Sequence, residues 1–344
     1  MKQWIVICIF SVSTLLAQKK IELVHNFTSN VQDQKIFEIP VDWRWSEQPL
    51  FYRIKQLADI QIHASDLSEF LTKKSKKQVL ALSGNTDWFV FWNIPMHLKR
   101  SSISKLPKKK MILFMWEPPT VEPNLYKEKI QRLFSKIYTW NDDLVDNQHF
   151  FKFHYPVLNA MISDRPSFEE KKLCTTIIGH RTSKHPKELY SEREKAILYF
   201  NSLDNDDFEF YGRDWEDCGY SSYRGVVDDK IETMKYYRFA LCYENIGGIK
   251  GYITEKIFDC FSAGCIPIYL GAENIQHYIP KNCFIDRREF ADEAALYHFI
   301  KKMPEEEYEK RIESIKNYLD SEEASVFSRE NFLKVFKTAL ELKI

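Results

Sequence analysis

From residue 20 onward, short apolar runs alternate with longer amphipathic stretches, and this alternation predicts an α/β protein built on largely parallel sheets. In the first half, residues 21–24, 88–92, 111–116 and 136–140 are apolar runs that suit strands covered on both faces. The segments between them, among them 65–74 and 121–134, are long enough for helices. Around 151–171 the pattern loosens into a polar stretch with Pro156, Asp164-Arg165-Pro166 and a charged run at 169–172, the composition of a connector between domains. It then restarts with a strand at 173–178, a helix over about 186–199, and a strand at 208–211 that ends at Gly212. Two further βα units follow. From Pro304 the chain reads as helix, with apolar residues at helical spacing over 327–342, and this tail is expected to pack back across both halves.

A chain of 344 residues is long enough for two domains of roughly 150 residues. The expected division is a leader over 1–18, an N-terminal domain over 19–160 and a C-terminal domain over 161–344. Lysine plus arginine and aspartate plus glutamate number 49 each, so no global field favours nucleic acid or an acidic membrane, and any anion must be held by a local site. The basic clusters 73–77 and 108–110 read as solvated ends of helices or strands. Cys8, Cys174, Cys218, Cys242, Cys260, Cys265 and Cys283 form no CxxC pair, which argues against a structural zinc site. Cys174, Cys242, Cys260 and Cys265 fall in apolar runs and read as buried thiols, leaving Cys218 and Cys283 freer for a bridge in an oxidising compartment.

The start of the chain differs from the rest: Lys2 precedes an apolar run over 4–17, and charge returns at Lys19 and Lys20. This reads as a secretory signal. The run is shorter than the roughly 20 residues of a spanning helix, and a short signal-anchor or a buried terminal strand are the alternatives. Asn26-Phe27-Thr28 is a glycosylation sequon. Trp43 and Trp45, within 30–49, can stack on sugars or belong to a core.

The most informative stretch is 238–271, RFALCYENIGGIKGYITEKIFDCFSAGCIPIYLG, which parses as strand, glycine-rich loop, helix, strand. Gly247, Gly248 and Gly251 allow the loop backbone to approach a ligand closely. Thr254 stands at the N-cap position and Gly264 at C′. In an open α/β sheet ligands bind beyond the carboxyl ends of the strands, and that edge carries Glu244, Asn245 and the helix start. Lys256, in the first turn, opposes the helix dipole unless an anion is bound there, so strand end, glycine loop and capped cation together point to a phosphate cradle. The competing reading is that Lys256 pairs with a nearby carboxylate.

The segment YENIGGIKGYITEKIFDCFSAGCIPIYLGAENI, continuing through Tyr278-Ile279-Pro280-Lys281-Asn282 and Phe284-Ile285-Asp286, resembles the donor-binding signature of the α1,3-fucosyltransferases. The resemblance reaches upstream to Tyr211-Gly212 and Glu192-Arg193, and more faintly to Trp116-Glu117-Pro118. It implies an α/β protein of the GT-B type: two Rossmann-like domains with a cleft between them and a helical C-terminal tail, with GDP-fucose on the C-terminal domain and the acceptor on the N-terminal one. Carried over by position, it implies that Arg193, Asn245, Tyr252, Glu255 and Lys256 line the donor site. Lys256 and Arg193 then neutralise the diphosphate, and Glu255 faces the donor sugar and its developing positive charge. Read without the resemblance, Arg193 belongs to a surface salt-bridge face over 192–195.

Glu117 is expected at a strand end before Pro118-Pro119, as the general base that takes the acceptor proton. This chain lacks the serine that usually separates this glutamate from proline in the family. A solvent-facing turn residue is therefore the alternative for Glu117, and Glu122 the fallback base. Asp204-Asn205-Asp206, the one near match to a metal-holding DxD motif, reads as a turn, so neither a metal nor another cofactor is expected beyond the donor substrate GDP-fucose.

The implied activity is inverting transfer of fucose to an oligosaccharide or glycoprotein acceptor, α1,3 to N-acetylglucosamine, with no nucleic-acid partner. It implies a place in the secretory pathway or on a membrane through the N-terminal segment: the Golgi membrane in a eukaryote, the cell envelope or cytoplasmic membrane in a bacterium. Two alternatives stand: a transferase using another nucleotide sugar, or a secreted carbohydrate-binding protein without catalysis.

Overall fold

Strands that are apolar on both faces are stable only between two layers of helices, and here they form the centres of two parallel sheets. The computed structural model describes residues 18–25, 35–37, 47–65, 71–94 and 98–343. The apolar start with Cys8, the Asn26 sequon, and Trp43 and Trp45 lie outside the described residues. The first sheet is built from β1 (Lys19–His25), β2 (Ile60–Ser65), β3 (Trp88–Trp92), β4 (Met111–Met115), β5 (Lys136–Thr139) and β6 (Phe150–Lys152), in the order β2-β1-β3-β4-β5-β6. The second is built from β7 (Lys172–Ile177), β8 (Phe208–Tyr211), β9 (Tyr237–Tyr243), β10 (Ile266–Leu270) and β11 (Ile285–Asp286), in the order β11-β10-β9-β7-β8. Every pairing in both sheets is parallel.

Helices α1 (Glu47–Lys55), α2 (Lys76–Ser83), α3 (Arg100–Ile103) and α4 (Glu128–Gln131) belong to the first sheet. Those that follow in the chain are α5 (Tyr190–Ser202), α6 (Lys230–Met234), α7 (Glu255–Ser262), α8 (Glu293–Lys302), α9 (Glu305–Leu319) and α10 (Arg329–Ala339). In each sheet the chain winds outward, then crosses back: between β1 and β3 in the first, between β7 and β9 in the second. Such reversals open a crevice at the carboxyl ends of the strands. The crevice of the second sheet is flanked by Glu244 and Asn245. Asn93 marks that of the first, and the strand next to it, β4, leads into Glu117.

The central strands agree with the apolar runs, and the differences lie at edges. β2 was expected as part of no strand, because Gln61 and His63 are exposed while Ile60, Ile62 and Ala64 are buried, an alternation that fits an edge strand. β6 is a three-residue edge strand, half-buried throughout. The helix expected over 65–74 begins inside β2 at Ser65, and residues 66–70 lie outside the described residues. The helix expected over 121–134 is instead two short turns, one over Pro123–Tyr126 and α4.

The helix expected from Pro186 starts at Tyr190, because the backbone before it pairs with the glycine loop: Gly247 N donates to Lys187 O at 2.9 Å and Leu189 N to Asn245 O at 3.3 Å. Cys283, expected to be freer, is buried with its thiol against Ser314 O at 3.5 Å. All six described cysteines are free thiols, and Cys218 is half-buried.

Candidate active site

The second-sheet half of the site grows from the end of β9. Thr254 caps α7, its Oγ1 accepting from Lys256 N at 3.4 Å. Glu244, fully buried, accepts from Thr254 N and from Thr254 Oγ1, each at 2.9 Å, so the strand end is tied to the helix start. The Lys256 ammonium then lies 3.2 Å from Glu244 Oε2, 3.3 Å from Glu255 Oε1 and 3.1 Å from Thr254 Oγ1. Lys256 therefore does pair with carboxylates, but at the helix start and not on an outer face. Burial works to lower the Lys256 pKa, and the two carboxylates outweigh it, holding the ammonium charged. Burial likewise would raise Glu255, yet Lys256 and Lys230 bring it down to about 2, so it is ionised at any working pH.

Arg193 is buried, not part of a surface salt-bridge face. Its Nε and Nη2 donate to Tyr243 O at 3.1 and 2.7 Å, and Nη2 also to Asn245 Oδ1 at 2.8 Å, bonds that leave Nη1 out. The surface pair on that helix is Lys195–Glu192. Arg193 thus sits under the strand end within reach of Lys256, whose charge it opposes. Tyr252 is only 2 % exposed: its ring packs 4.5 Å from Trp140 and 6.2 Å from Tyr155, inside an aromatic wall between the sheets. Lys256 lines a small recess of about 30 Å³ together with Ile178, Lys230, Tyr243 and Asp259, which has room for a water molecule. The Glu255 and Lys256 side chains stay part-exposed at the helix start.

The first-sheet half is set by Asn93. At the end of β3 it adopts a left-handed backbone, φ 58°, rare for a residue with a side chain and most tolerated by asparagine. Its Oδ1 accepts from Trp116 N at 2.8 Å and Glu117 N at 3.0 Å, turning the chain out of β4. Trp140 Nε1 and the Tyr155 hydroxyl both donate to Trp116 O, and the Tyr126 hydroxyl donates to Glu117 O at 2.9 Å. The backbone of Trp116 and Glu117 is thus held at five points, and the Glu117 carboxyl beside it has its pKa raised to about 7. Burial is the main cause, Glu255 and Glu122 add to it, and Lys256 draws it down. Glu117 is half-buried at the end of β4, not fully solvent-facing. Glu122, buried in the same loop, lies close enough to raise it.

The structure brings Glu117 from one sheet within electrostatic reach of the Glu255–Lys256 pair from the other, with Arg193 and Asn245 behind that pair. What composition and motif did not single out are three of the side chains that hold these in place, Asn93, Trp140 and Tyr155; the fourth is Glu244, which the sequence placed at the strand edge without a partner. The one visible signal was Glu244, an acid at the end of an otherwise apolar strand. Asp204-Asn205-Asp206 lies in the turn between α5 and β8. Among the described residues no group of three or more His, Cys, Asp or Glu side chains could hold a metal ion.

Residues 168–324 match the family model "Glycosyltransferase family 10 (fucosyltransferase) C-term". The mouse protein 4-galactosyl-N-acetylglucosaminide 3-alpha-L-fucosyltransferase 9 (Mus musculus) is 29% identical over 201 residues, 57% of this chain and 50% of the relative. An alpha-(1,4)-fucosyltransferase of Arabidopsis thaliana is 35% identical over 71 residues, 21% of this chain and 18% of the relative. The chain thus spans about half the length of the mouse relative. Among solved structures, an α1,3-fucosyltransferase with GDP-fucose superposes with a TM-score of 0.57 at 19% identity, covering 96% of this chain and 93% of that one. A DNA-modifying β-glucosyltransferase, solved with and without uridine diphosphoglucose, superposes at 0.58 and 16% identity, covering 94% and 100%. Both likenesses are of fold: two parallel sheets with helices, the GT-B arrangement.

Proposed function

Because residues 168–324 match the family 10 fucosyltransferase model, we propose that the chain belongs to that family and moves fucose from GDP-fucose to a hydroxyl of a glycan acceptor, with inversion at the anomeric carbon. The observation that carries this reading is the Glu117 carboxyl, with its pKa near 7, facing the ion pair at the start of α7. A general base works best when its pKa lies near the operating pH. In the proposed step the acceptor oxygen forms a bond to the anomeric carbon while Glu117 takes its proton. The bond from that carbon to the diphosphate breaks, and its electron pair leaves with GDP. Lys256, the α7 N-terminus and Arg193 stabilise the leaving charge, preorganised by Thr254 and Glu244. Glu255, ionised, opposes the positive charge that grows on the sugar.

The proposed linkage is α1,3 to N-acetylglucosamine, supported by the similarity over 201 residues to a 4-galactosyl-N-acetylglucosaminide 3-alpha-L-fucosyltransferase, while the shorter match to an α1,4 enzyme keeps the neighbouring hydroxyl as a second reading. A different nucleotide sugar is the other second reading, since a glucosyltransferase shares the fold as closely as a fucosyltransferase does. Loss of catalysis is the least supported reading, given a preserved base and cradle together. Donor binding is proposed to need no metal or other cofactor. The proposed site of action is the secretory pathway or a membrane, a Golgi membrane in a eukaryote or the envelope in a bacterium, reached through the apolar N-terminal segment. Among the described residues no helix is long and apolar enough to cross a membrane.

One set of measurements tests these points. A ligand that binds only the folded chain raises its Tm, so GDP should protect against thermal unfolding and UDP should not. Incubation with GDP-fucose and a glycan panel, with and without chelator, should yield a fucosylated product whose linkage is then assigned. Protection by UDP alone would overturn the donor. GDP protection without transfer to any glycan would favour the non-catalytic reading, and loss of transfer in chelator restored by manganese would overturn the metal-free site.

A further inference from the structure

The proposed chemistry needs one fixed spacing between Glu117 on the first sheet and the start of α7 on the second, and a polar cluster outside the reacting groups joins the two. Asp142, just after β5, receives hydrogen bonds from three side chains. Lys152 Nζ comes from its own sheet, while Asn274 Nδ2 at 2.9 Å and the Tyr278 hydroxyl at 2.8 and 2.9 Å come from the segment after β10. Lys152 Nζ donates further to Trp140 O at 2.6 Å, and Asn274 Oδ1 accepts from Gly251 N at 2.9 Å. Asp142 N donates to Lys250 O at 3.3 Å, and Lys250 Nζ lies 3.0 Å from Asp143 Oδ1.

The glycine loop is therefore gripped from the first sheet at Lys250 and Gly251. A Cβ on Gly251 would lie 2.4 Å from Trp140 O and 2.7 Å from Asp142 Oδ1, so the two backbones meet with no room for a side chain. Tyr252 packs at a tilt against Trp140 immediately afterwards, and Thr254, Glu255 and Lys256 follow.

We propose that Asp142 and Tyr278 are positioning residues that clamp the glycine loop against the first sheet and so set the distance between the Glu117 carboxylate and a donor held at the start of α7. The inference rests on Glu117 acting as the base of a fucosyl transfer. Neither residue touches the reacting groups. Their effect is geometric, and a displacement of about 1 Å at a reacting centre can cost on the order of 10²-fold in rate.

The groups that face Glu117 are Lys256 and Glu255 from α7, Glu122 from its own loop, and the hydroxyls of Tyr126, Tyr155 and Tyr252. Parting the sheets would hydrate Glu117 and move it away from both Lys256, which lowers its pKa, and Glu255, which raises it. Loss of burial, the largest cause, sets the sign and lowers the pKa toward that of an ordinary carboxylate. A cluster that served only as glue would change Tm and leave the titration of the base alone.

The experiment compares full-length wild type with Asp142→Asn and the milder Tyr278→Phe, well below their melting temperatures. It reads GDP affinity by calorimetry and kcat as a function of pH. GDP affinity should stay near wild type, since Lys256 and Arg193 are untouched. The kcat should fall by about 10- to 100-fold in Asp142→Asn and less in Tyr278→Phe. The acid limb of the profile should move to lower pH in the same order. A lowered Tm with kcat and the acid limb unchanged in both variants would overturn the clamp. If wild type makes no fucosylated product, it is the proposed function that has failed, and the clamp is then judged by hydrogen exchange of the amides over 247–252. Wild-type protection in both variants would overturn it, and faster exchange confined to that loop and the residues around Asp142 would support it.

Discussion

Glu117 and Glu255 are neighbours across the cleft whose environments push their pKa values in opposite directions, and the consequences for stability have opposite signs. The Glu117 pKa rises from 4.5 to about 7 on folding, so between those values the folded chain keeps a proton that the unfolded chain has lost. Its ionisation therefore costs stability, not at all below pH 4.5 and in full above pH 7. Glu117→Gln should raise Tm at pH 8 and leave it unchanged at pH 4. At the same time kcat should drop by about 10²–10⁴-fold with GDP affinity unchanged.

Glu255 falls to about 2, so it adds stability above pH 4.5 that is lost as pH falls through 2, and Glu255→Gln should lower Tm at pH 7. Thermal scans of both variants at three pH values, with Glu122→Gln alongside, check the signs. Equal shifts for Glu117→Gln at pH 4 and pH 8 would mean that the carboxyl is not desolvated. Full activity in Glu117→Gln with collapse in Glu122→Gln would move the base to Glu122. At this scale the sequence exposed the residues that carry the motif but not those that hold them. Asn93 and Glu244 act through partners 23 or 10 positions away along the chain, and no local pattern announces such a pairing.

Among elements, central strands were legible because they are apolar on both faces, and so was the edge strand β8, whose aromatic run stops at Gly212, whereas the edge strands β2, β6 and β11 were not, because their pattern alternates or is too short to register. β9, the glycine loop and α7 were legible in full, since cap, loop and apolar face agree at every position. The start of α5 was not, because a long-range pairing with residues 245–247 takes the backbone that local propensity would have given to helix. The loop also separates two kinds of glycine requirement. Gly248 has φ +60° and open space around it, with only Lys187 Nζ at 3.9 Å. Alanine there costs the left-handed backbone alone, roughly 1–2 kcal/mol. Gly251 has φ +80° and the first sheet's backbone in its way. Gly251→Ala should therefore destabilise clearly more than Gly248→Ala and should lower kcat as the Asp142 variants do, because it pushes the same two surfaces apart. Denaturant unfolding of the two variants together is the check. Equal destabilisation would show that the loop is not pressed against the first sheet.

On the scale of the whole molecule, the last helix belongs in space to the first sheet. α10 presents Phe332 and Phe336, each no more than 1 % exposed, to the face formed by β3 and β4. Phe332 lies 5.6 Å from Trp92, 5.6 Å from Phe114 and 5.9 Å from Phe153. Just before α10, Phe327 packs 4.8 Å from Phe258 of α7 and 6.1 Å from Tyr278 of the clamp. The tail thus crosses from α7, past Tyr278, into the core of the other sheet. Polar ties at its rim, Lys136–Glu341 at 2.8 Å and Arg53–Glu330 at 2.6 Å, are part-exposed and add little beside this burial. The helical spacing of the tail was plain in the sequence, but which core it completes depends on the order of both sheets.

Phe332→Ala should cost about 3–5 kcal/mol, the usual loss for a fully buried aromatic. The location of that loss is the sharper expectation. If the tail is a structural part of the first sheet, amides of β3 and β4 should exchange faster in the variant, while those of β9 and β10 keep their protection, since partly independent units open with their own free energies. Arg53→Ala, which removes only a rim tie, should leave exchange in both sheets at wild-type rates. Uniformly faster exchange across both sheets would instead mean that the halves unfold as one unit. Faster exchange confined to β9 and β10 would assign α10 to the second sheet and remove the tail as the strap that joins α7, Tyr278 and the first sheet.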